Sequence, residues 1–170
     1  MNTDRQQKLT ELVGRIGEAL TAEKKLIQVI ETAAGGLISA NLLAVPGASA
    51  WYDGGKIAYS NEFKLNNTGV RPGDLEDGGA VQADIPRLMA MWGSGGRIAY
   101  CLAESSLAYK RPGARSIKPA GLSYIAVASS MRDVECREFL FEGTRWEIME
   151  QIAEAAIRFL AEKVGVRGLA

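Results

Sequence analysis

The chain alternates between long segments with helical spacing of apolar residues and short apolar runs typical of strands. Near the start, apolar residues recur three and four positions apart, and this spacing predicts an amphipathic helix over residues 4–23. The last segment begins with Thr144 and Glu147, which match a capping box, and it repeats the helical spacing through Leu160. Both helices therefore need a core to pack against.

Strands and shorter helices are predicted between these two segments. Asp53-Gly54-Gly55 interrupts one strand-like run and indicates a turn or a bulge, and Asp84 is placed to cap a helix that carries Pro86 in its first turn. The predicted strands are 26–30, 50–59, 97–103, 123–128 and 134–141, and the predicted intervening helices are 33–43, 61–65 and 84–92. The alternation predicts one layered α/β domain over residues 1–170, with no internal repeat.

Composition excludes several kinds of chemistry. The 170 residues include no histidine, so neither a Ser-His-Asp triad nor an imidazole metal site is available. The two cysteines, Cys101 and Cys136, lie in apolar-rich segments, which favours reduced, buried thiols, and we expect neither a metal nor a cofactor.

Charge and hydropathy set expectations about partners and location. A formal net charge of +0 offers no overall field for nucleic acid or for an anionic membrane. The first eight residues are polar and no apolar run approaches 18 residues, so we expect a cytoplasmic protein with no membrane partner. The basic stretch from Tyr109 to Lys118 reads either as a solvated loop or as a contact for phosphate or nucleic acid; the neutral balance favours the solvated loop.

Two clusters carry candidate chemistry. Residues 32–36 join a predicted strand to a predicted helix through Gly35 and Gly36, where backbone N–H groups hold an anion or an oxyanion in many α/β proteins; a purely structural turn fits the same residues. Residues 59–64 concentrate hydroxyl, amide and ammonium groups. Without histidine, a buried Lys64 is a candidate general base for a hydroxyl nucleophile, and the alternative is a solvated helix face.

The order of these motifs resembles the CinA C-terminal domain family over roughly residues 27–160. The most specific motif is Tyr59-Ser60-Asn61-Glu62-Phe63-Lys64, and the supporting runs are 31–36, 45–50, 79–81, 118–121 and 143–145. The resemblance implies a three-layer α/β/α domain with a mixed sheet of about five strands. It also implies a homodimer and an amidase that hydrolyses nicotinamide mononucleotide to nicotinate mononucleotide and ammonia, using a serine nucleophile, a lysine and no metal.

The resemblance also implies roles for individual residues. Thr32 stands where the family has its serine and would be the nucleophile, Lys64 would take the hydroxyl proton, and Tyr59 completes the expected catalytic set. The residues expected to bind substrate are Gly35, Gly36, Ser49, Ser60, Asn61 and Arg145. N–H groups near the two glycines would hold the oxyanion, and Arg145 would hold a phosphate.

This sequence departs from the family pattern around the expected site. Thr32 replaces serine, the family's Gly-Ile-Ala-Gly-Pro loop is replaced by bulkier residues at 103–108, and two expected arginines are Met149 and Glu150. Two hypotheses follow. One is an amidohydrolase that resembles nicotinamide mononucleotide deamidase, and the other is an inactive relative that binds a nucleotide or a protein partner.

Overall fold

The part of the chain that the structure describes contains five strands, which form one mixed sheet, and five α-helices. The structure is a computed structural model and describes residues 3–76, 78–110 and 117–166. The strands are β1 (Leu26–Glu31), β2 (Tyr52–Ile57), β3 (Ile98–Ser106), β4 (Leu122–Ser130) and β5 (Asp133–Leu140). The helices are α1 (Thr3–Ala22), α2 (Leu37–Leu43), α3 (Asn61–Asn67), α4 (Asp84–Gly93) and α5 (Arg145–Val164), with 3₁₀ turns at Ala48–Ala50 and Pro72–Leu75.

The strand order is β2-β1-β3-β4-β5. β1 runs parallel to both of its neighbours, whereas β4 is antiparallel to β3 and β5, so the predicted mixed sheet of five strands is confirmed. The register between β1 and β2 shifts so that Ile27 faces Tyr52 but Gln28 faces Gly54. Asp53 is therefore the extra residue of a bulge, one of the two alternatives that the sequence left open.

Helices cover both faces of the sheet, which gives the expected three layers. On one face, α5 packs against β3 and β4, α2 packs against β1 and β2, and α1 lies on α2 and α5. Trp51 is 2% exposed and belongs to this larger core. On the other face, α4 packs across β1, β3, β4 and β5 over a smaller core that includes Ile30 and Met89.

Several element boundaries differ from the prediction. α2 begins at Leu37 rather than at residue 33, because Gly35 and Gly36 take positive φ angles of 64° and 100°, which a helix does not allow. Asp84 lies inside α4, where its carboxylate pairs with Arg87, and Ala83 is the N-cap residue, so the predicted cap is wrong. β3 continues three residues beyond its predicted end because Ser106 still pairs with β4.

The capping box predicted at the start of the last helix is confirmed. At the start of α5, the Thr144 hydroxyl accepts from the Glu147 N–H while the Glu147 carboxylate accepts from the Thr144 N–H. Cys101 and Cys136 are free thiols; Cys101 is buried and Cys136 is half-buried, and burial raises their pKa values to about 12 and about 11. Among the residues described, no helix is both long enough and apolar enough to cross a membrane.

Candidate functional site

The carboxyl ends of three parallel strands meet at one edge of the sheet. The register pairs Ile30 with Ala103 and Glu31 with Ile57. Thr32 and Tyr59 therefore follow their strands at the same edge at which Glu104 lies near the end of β3. Open α/β sheets bind ligands at such edges, because loops and helix N-termini converge there.

A pocket of 280 Å³ opens at this edge. It is lined by Thr32, Ala33, Tyr59, Asn61, Lys64, Ala80, Val81, Ser105 and Ser106. The tertiary structure thus brings together all three residues that the sequence predicts as catalytic, although Tyr59 and Lys64 are distant from Thr32 along the chain.

Glu104, next to the pocket-lining Ser105 in the chain, is fully buried and accepts four hydrogen bonds from the described residues. One carboxylate oxygen accepts from the backbone N–H groups of Thr32 and Ala34, the second of these at 2.9 Å. The other oxygen accepts from the hydroxyls of Thr32 at 3.1 Å and Ser106 at 2.6 Å. Burial raises the pKa of Glu104 above its ordinary value, and these hydrogen bonds, led by that from Ser106, oppose the rise.

Lys64 is 3% exposed, so the prediction of a buried lysine is confirmed and the solvated helix face is wrong. α3 directs the side chain back toward its own N-terminus, where the ammonium donates to the Tyr59 carbonyl at 3.0 Å. Burial lowers the pKa of Lys64, and the nearby charge of Glu104 acts in the opposite direction. Within the described part of the chain, the Thr32 hydroxyl has its hydrogen bond to Glu104 and none to Lys64.

A second buried glutamate, Glu31, shapes the turn that follows β1. Its carboxylate accepts from the N–H groups of Gly36, Ile38 and Ser39 at 2.8, 3.1 and 2.9 Å, and from the Ser39 hydroxyl. These bonds satisfy the N–H groups that begin α2. The Gly36 N–H, which the sequence assigned to an oxyanion, therefore already has a carboxylate acceptor.

The rim of the pocket is exposed and polar. Arg145, the first residue of α5, donates to the Tyr59 hydroxyl at 3.1 Å. This contact places Arg145, the residue predicted to bind a phosphate, at the mouth of the pocket. Ser60 caps α3 by accepting from the Phe63 N–H, and Asn61 lines the pocket from the first position of that helix.

Two other predicted substrate residues lie differently. Gly35 is exposed, and a Cβ built there would lie 3.1 Å from the Met149 methyl carbon, so the turn runs close to α5. Ser49 is exposed in the 3₁₀ turn that precedes β2. Because β2 is parallel to β1, Ser49 lies at the opposite edge of the sheet and does not line this pocket.

Sequence reasoning missed the residues that β3 contributes. Glu104, Ser105 and Ser106 were noted only as departures from the family loop, yet they continue the strand into the pocket. Ser105 also donates to the Ala80 carbonyl at 2.6 Å and so holds residues 80 and 81 against the site. The sequence did hold one signal for this site: Glu104 directly follows the apolar run 98–103. A carboxylate at the end of a buried strand needs hydrogen-bond donors around it, so its position indicates a polar cluster.

The basic stretch after Tyr109 lies only partly within the described residues. Arg111 and Arg115 lie outside the described residues. Lys118 donates to the carbonyls of Gly78 and Val81 and so braces the loop that lines the pocket. Within residues 3–76, 78–110 and 117–166, no group of three or more cysteine and acidic side chains is placed to hold a metal ion.

Comparisons with known proteins agree with this architecture. The family model described as the CinA C-terminal domain matches residues 9–164. A CinA-like protein of Thermosynechococcus vestitus is 38% identical over 135 residues, which cover 79% of this chain and 32% of that protein. The chain thus spans about a third of the length of this curated relative.

Solved structures extend the agreement to the whole domain. The competence/damage inducible protein CihA from Agrobacterium tumefaciens is 28% identical with a TM-score of 0.83, covering 93% of this chain and 96% of that one. A CinA superfamily protein from Klebsiella pneumoniae is 26% identical with the same TM-score, covering 92% and 98% respectively.

Proposed function

This chain belongs to the CinA C-terminal domain family, and on that premise we propose that it is an amidohydrolase that converts nicotinamide mononucleotide and water to nicotinate mononucleotide and ammonia. One observation carries the proposal: the Thr32 hydroxyl and the buried Lys64 line a single pocket at the carboxyl edge of the parallel strands. A hydroxyl nucleophile activated by an adjacent proton-transferring side chain is one route to amide hydrolysis that needs neither histidine nor metal.

In this proposal, the Thr32 hydroxyl attacks the carboxamide carbon, and Lys64 transfers protons within the pocket. The pKa of Lys64 is lowered by burial, which brings the ammonium closer to a neutral operating pH and makes it a better proton donor. The pyridine ring would occupy the 280 Å³ pocket. The phosphate would lie at the rim, where Arg145 and the exposed Tyr59 hydroxyl supply donors.

The experiment measures ammonia released from nicotinamide mononucleotide by the purified protein and four variants. Thr32→Val removes the hydroxyl but keeps the branched shape, and Lys64→Met removes the amine but keeps the apolar stem. We expect each to lower kcat by about 100-fold or more, the size of a lost nucleophile or acid–base group. Thr32→Ser should retain activity, and Lys8→Met, which changes an exposed lysine of α1, should match the wild type.

Absence of ammonia release by the wild type would contradict the proposal, as would a Thr32→Val variant of undiminished activity. A wild type that is inactive while Thr32→Ser is active would identify a site that has decayed from the family chemistry. The threonine methyl group restricts χ1 and crowds the approach to the amide carbon, so this outcome has a steric cause.

A second candidate is binding of a nucleotide without turnover. In the 32–36 turn, the N–H groups of Thr32, Ala34 and Gly36 already donate to buried carboxylates. They are therefore not available to stabilise an oxyanion, which favours binding without turnover. Calorimetric titration with nicotinamide mononucleotide would then show saturable binding with no ammonia. Homodimer formation stays a prediction from the family resemblance.

A further inference from the structure

The acceptor of the Thr32 hydroxyl proton is the feature that the family resemblance does not explain. The hydroxyl donates to a Glu104 carboxylate oxygen at 3.1 Å, while the Lys64 ammonium donates to a backbone carbonyl. A general base must be within hydrogen-bond reach of the proton that it removes. In the described structure, Glu104 meets this requirement and Lys64 does not.

The two oxygens of Glu104 have different surroundings. One is held by two backbone N–H groups, which fix the carboxylate in place. Among the described residues, the other accepts from the hydroxyls of Thr32 and Ser106, so it directly faces the proton of the proposed nucleophile. The carboxylate is therefore fixed on one side and open to proton transfer on the side that faces the nucleophile.

We propose that Glu104 is the general base that takes the Thr32 hydroxyl proton, and that Lys64 instead serves as the general acid for the departing ammonia. The proposal rests on the proposed amidohydrolase function and divides its proton transfers between two residues. It adds a catalytic residue from β3 that the family resemblance did not assign.

Protons balance over the complete cycle. As Thr32 Oγ forms its bond to the carboxamide carbon, its proton moves to Glu104; when the carbon–nitrogen bond breaks, Lys64 protonates the nitrogen and ammonia leaves. Water then attacks the threonyl ester and gives its proton to the Lys64 amine. Finally, the ester bond breaks and Thr32 Oγ recovers its proton from Glu104. The net reaction is amide plus water to acid plus ammonia, and both residues return to their first state.

Electrostatics supports this division of roles. The raised pKa of Glu104 makes its carboxylate a stronger base, and the lowered pKa of Lys64 makes its ammonium a stronger acid. Both shifts act in the direction that brings the pKa of each group closer to a neutral operating pH, where proton transfer in catalysis is most efficient.

The test separates attack by Thr32 from loss of ammonia. An organic fluorophosphonate forms a bond from phosphorus to an activated hydroxyl oxygen and releases fluoride, a leaving group that needs no proton. We expect intact-mass and peptide mapping to show labelling at Thr32 of the wild type and none at that position in Thr32→Val. Glu104→Gln should slow labelling by about 100-fold or more, because it removes the base.

Two further variants make the test specific. Lys8→Met, which changes an exposed lysine of α1 that does not line the pocket, should be labelled at the wild-type rate. Lys64→Met should still be labelled, while its release of ammonia from nicotinamide mononucleotide falls. The wild-type labelling rate should rise with pH as Glu104 ionises. The midpoint of that rise should lie above 4.5, the ordinary pKa of a glutamate.

Several outcomes would overturn the inference: no labelling of wild-type Thr32, fast labelling of Glu104→Gln, or labelling that is lost in Lys64→Met. Loss of labelling in Lys64→Met would return the role of base to the lysine. Labelling as expected without any ammonia release would refute the proposed substrate while leaving the Thr32–Glu104 pair supported. Ammonia release with wild-type labelling in Glu104→Gln would refute this inference alone.

Discussion

Replacing each buried glutamate by glutamine should affect stability very differently at Glu31 and at Glu104, although both lie at the same edge of the sheet. At Glu31, each oxygen faces two donors: one faces the N–H groups of Gly36 and Ile38, and the other faces the N–H and hydroxyl of Ser39. A glutamine amide therefore points its NH₂ group at donors in either orientation. Glu31→Gln has no orientation that fits.

The magnitude follows from the broken bonds. A hydrogen bond to a charged group contributes about 1.5–3 kcal/mol. With the NH₂ group toward Ser39, the Ser39 hydroxyl rotates to accept, but the Ser39 N–H loses its acceptor and faces another donor. The opposite orientation leaves the N–H groups of Gly36 and Ile38 without an acceptor. At least one such loss is unavoidable, so we expect Glu31→Gln to lower the free energy of unfolding by about 1.5–3 kcal/mol.

At Glu104, the same change should be tolerated. The glutamine oxygen is able to face the N–H groups of Thr32 and Ala34, while its NH₂ group donates to the hydroxyls of Thr32 and Ser106, which rotate to accept. The weaker neutral bonds are offset because burial already disfavours the charged carboxylate. We expect a change within about 1 kcal/mol.

Urea unfolding, followed by tryptophan fluorescence, measures the free energy of unfolding of both variants. Equal m-values would show that their denatured states are comparable. A loss below about 1 kcal/mol for Glu31→Gln would refute the donor-counting argument. Equal losses at the two positions would also refute it, and would disqualify Glu104→Gln as a chemical probe of the site.

Two further predictions concern packing and charge. Gly14→Ala should raise the free energy of unfolding by about 1 kcal/mol, because alanine has the higher helix propensity and its Cβ meets no atom there. Gly17→Ala should be about 1–3 kcal/mol less stable than Gly14→Ala, because its Cβ would lie 2.6 Å from the Trp51 indole nitrogen. Equal urea midpoints for the two variants would contradict this. The folded-state pKa of Lys64 lies below 10.5, so the unfolded chain binds more protons in the window below that value and stability there rises with pH. Lys64→Met should remove this rise in pH-dependent urea unfolding and Lys8→Met should not.

The sequence by itself determined features that depend on neighbours along the chain. The apolar spacing that predicts α1 and α5 and the capping box at Thr144 each involve interactions within a few positions. Such local preferences need no knowledge of the rest of the fold, and the family motifs added the layer order. The boundary that failed, at the start of α2, is one at which the helical pattern extends into two glycines with positive φ angles, which helical geometry does not allow.

Only the tertiary structure decided what surrounds Thr32. The parallel pairing of β1 with β3 places Glu104 beneath the Thr32 hydroxyl, 72 positions away in the chain, and the turn of α3 directs Lys64 to a backbone carbonyl instead. Strand register also removes Ser49 to the opposite edge of the sheet. Hydrogen-bond partners depend on distance and direction in space, and a linear pattern of residue types specifies neither once the partners lie on different strands.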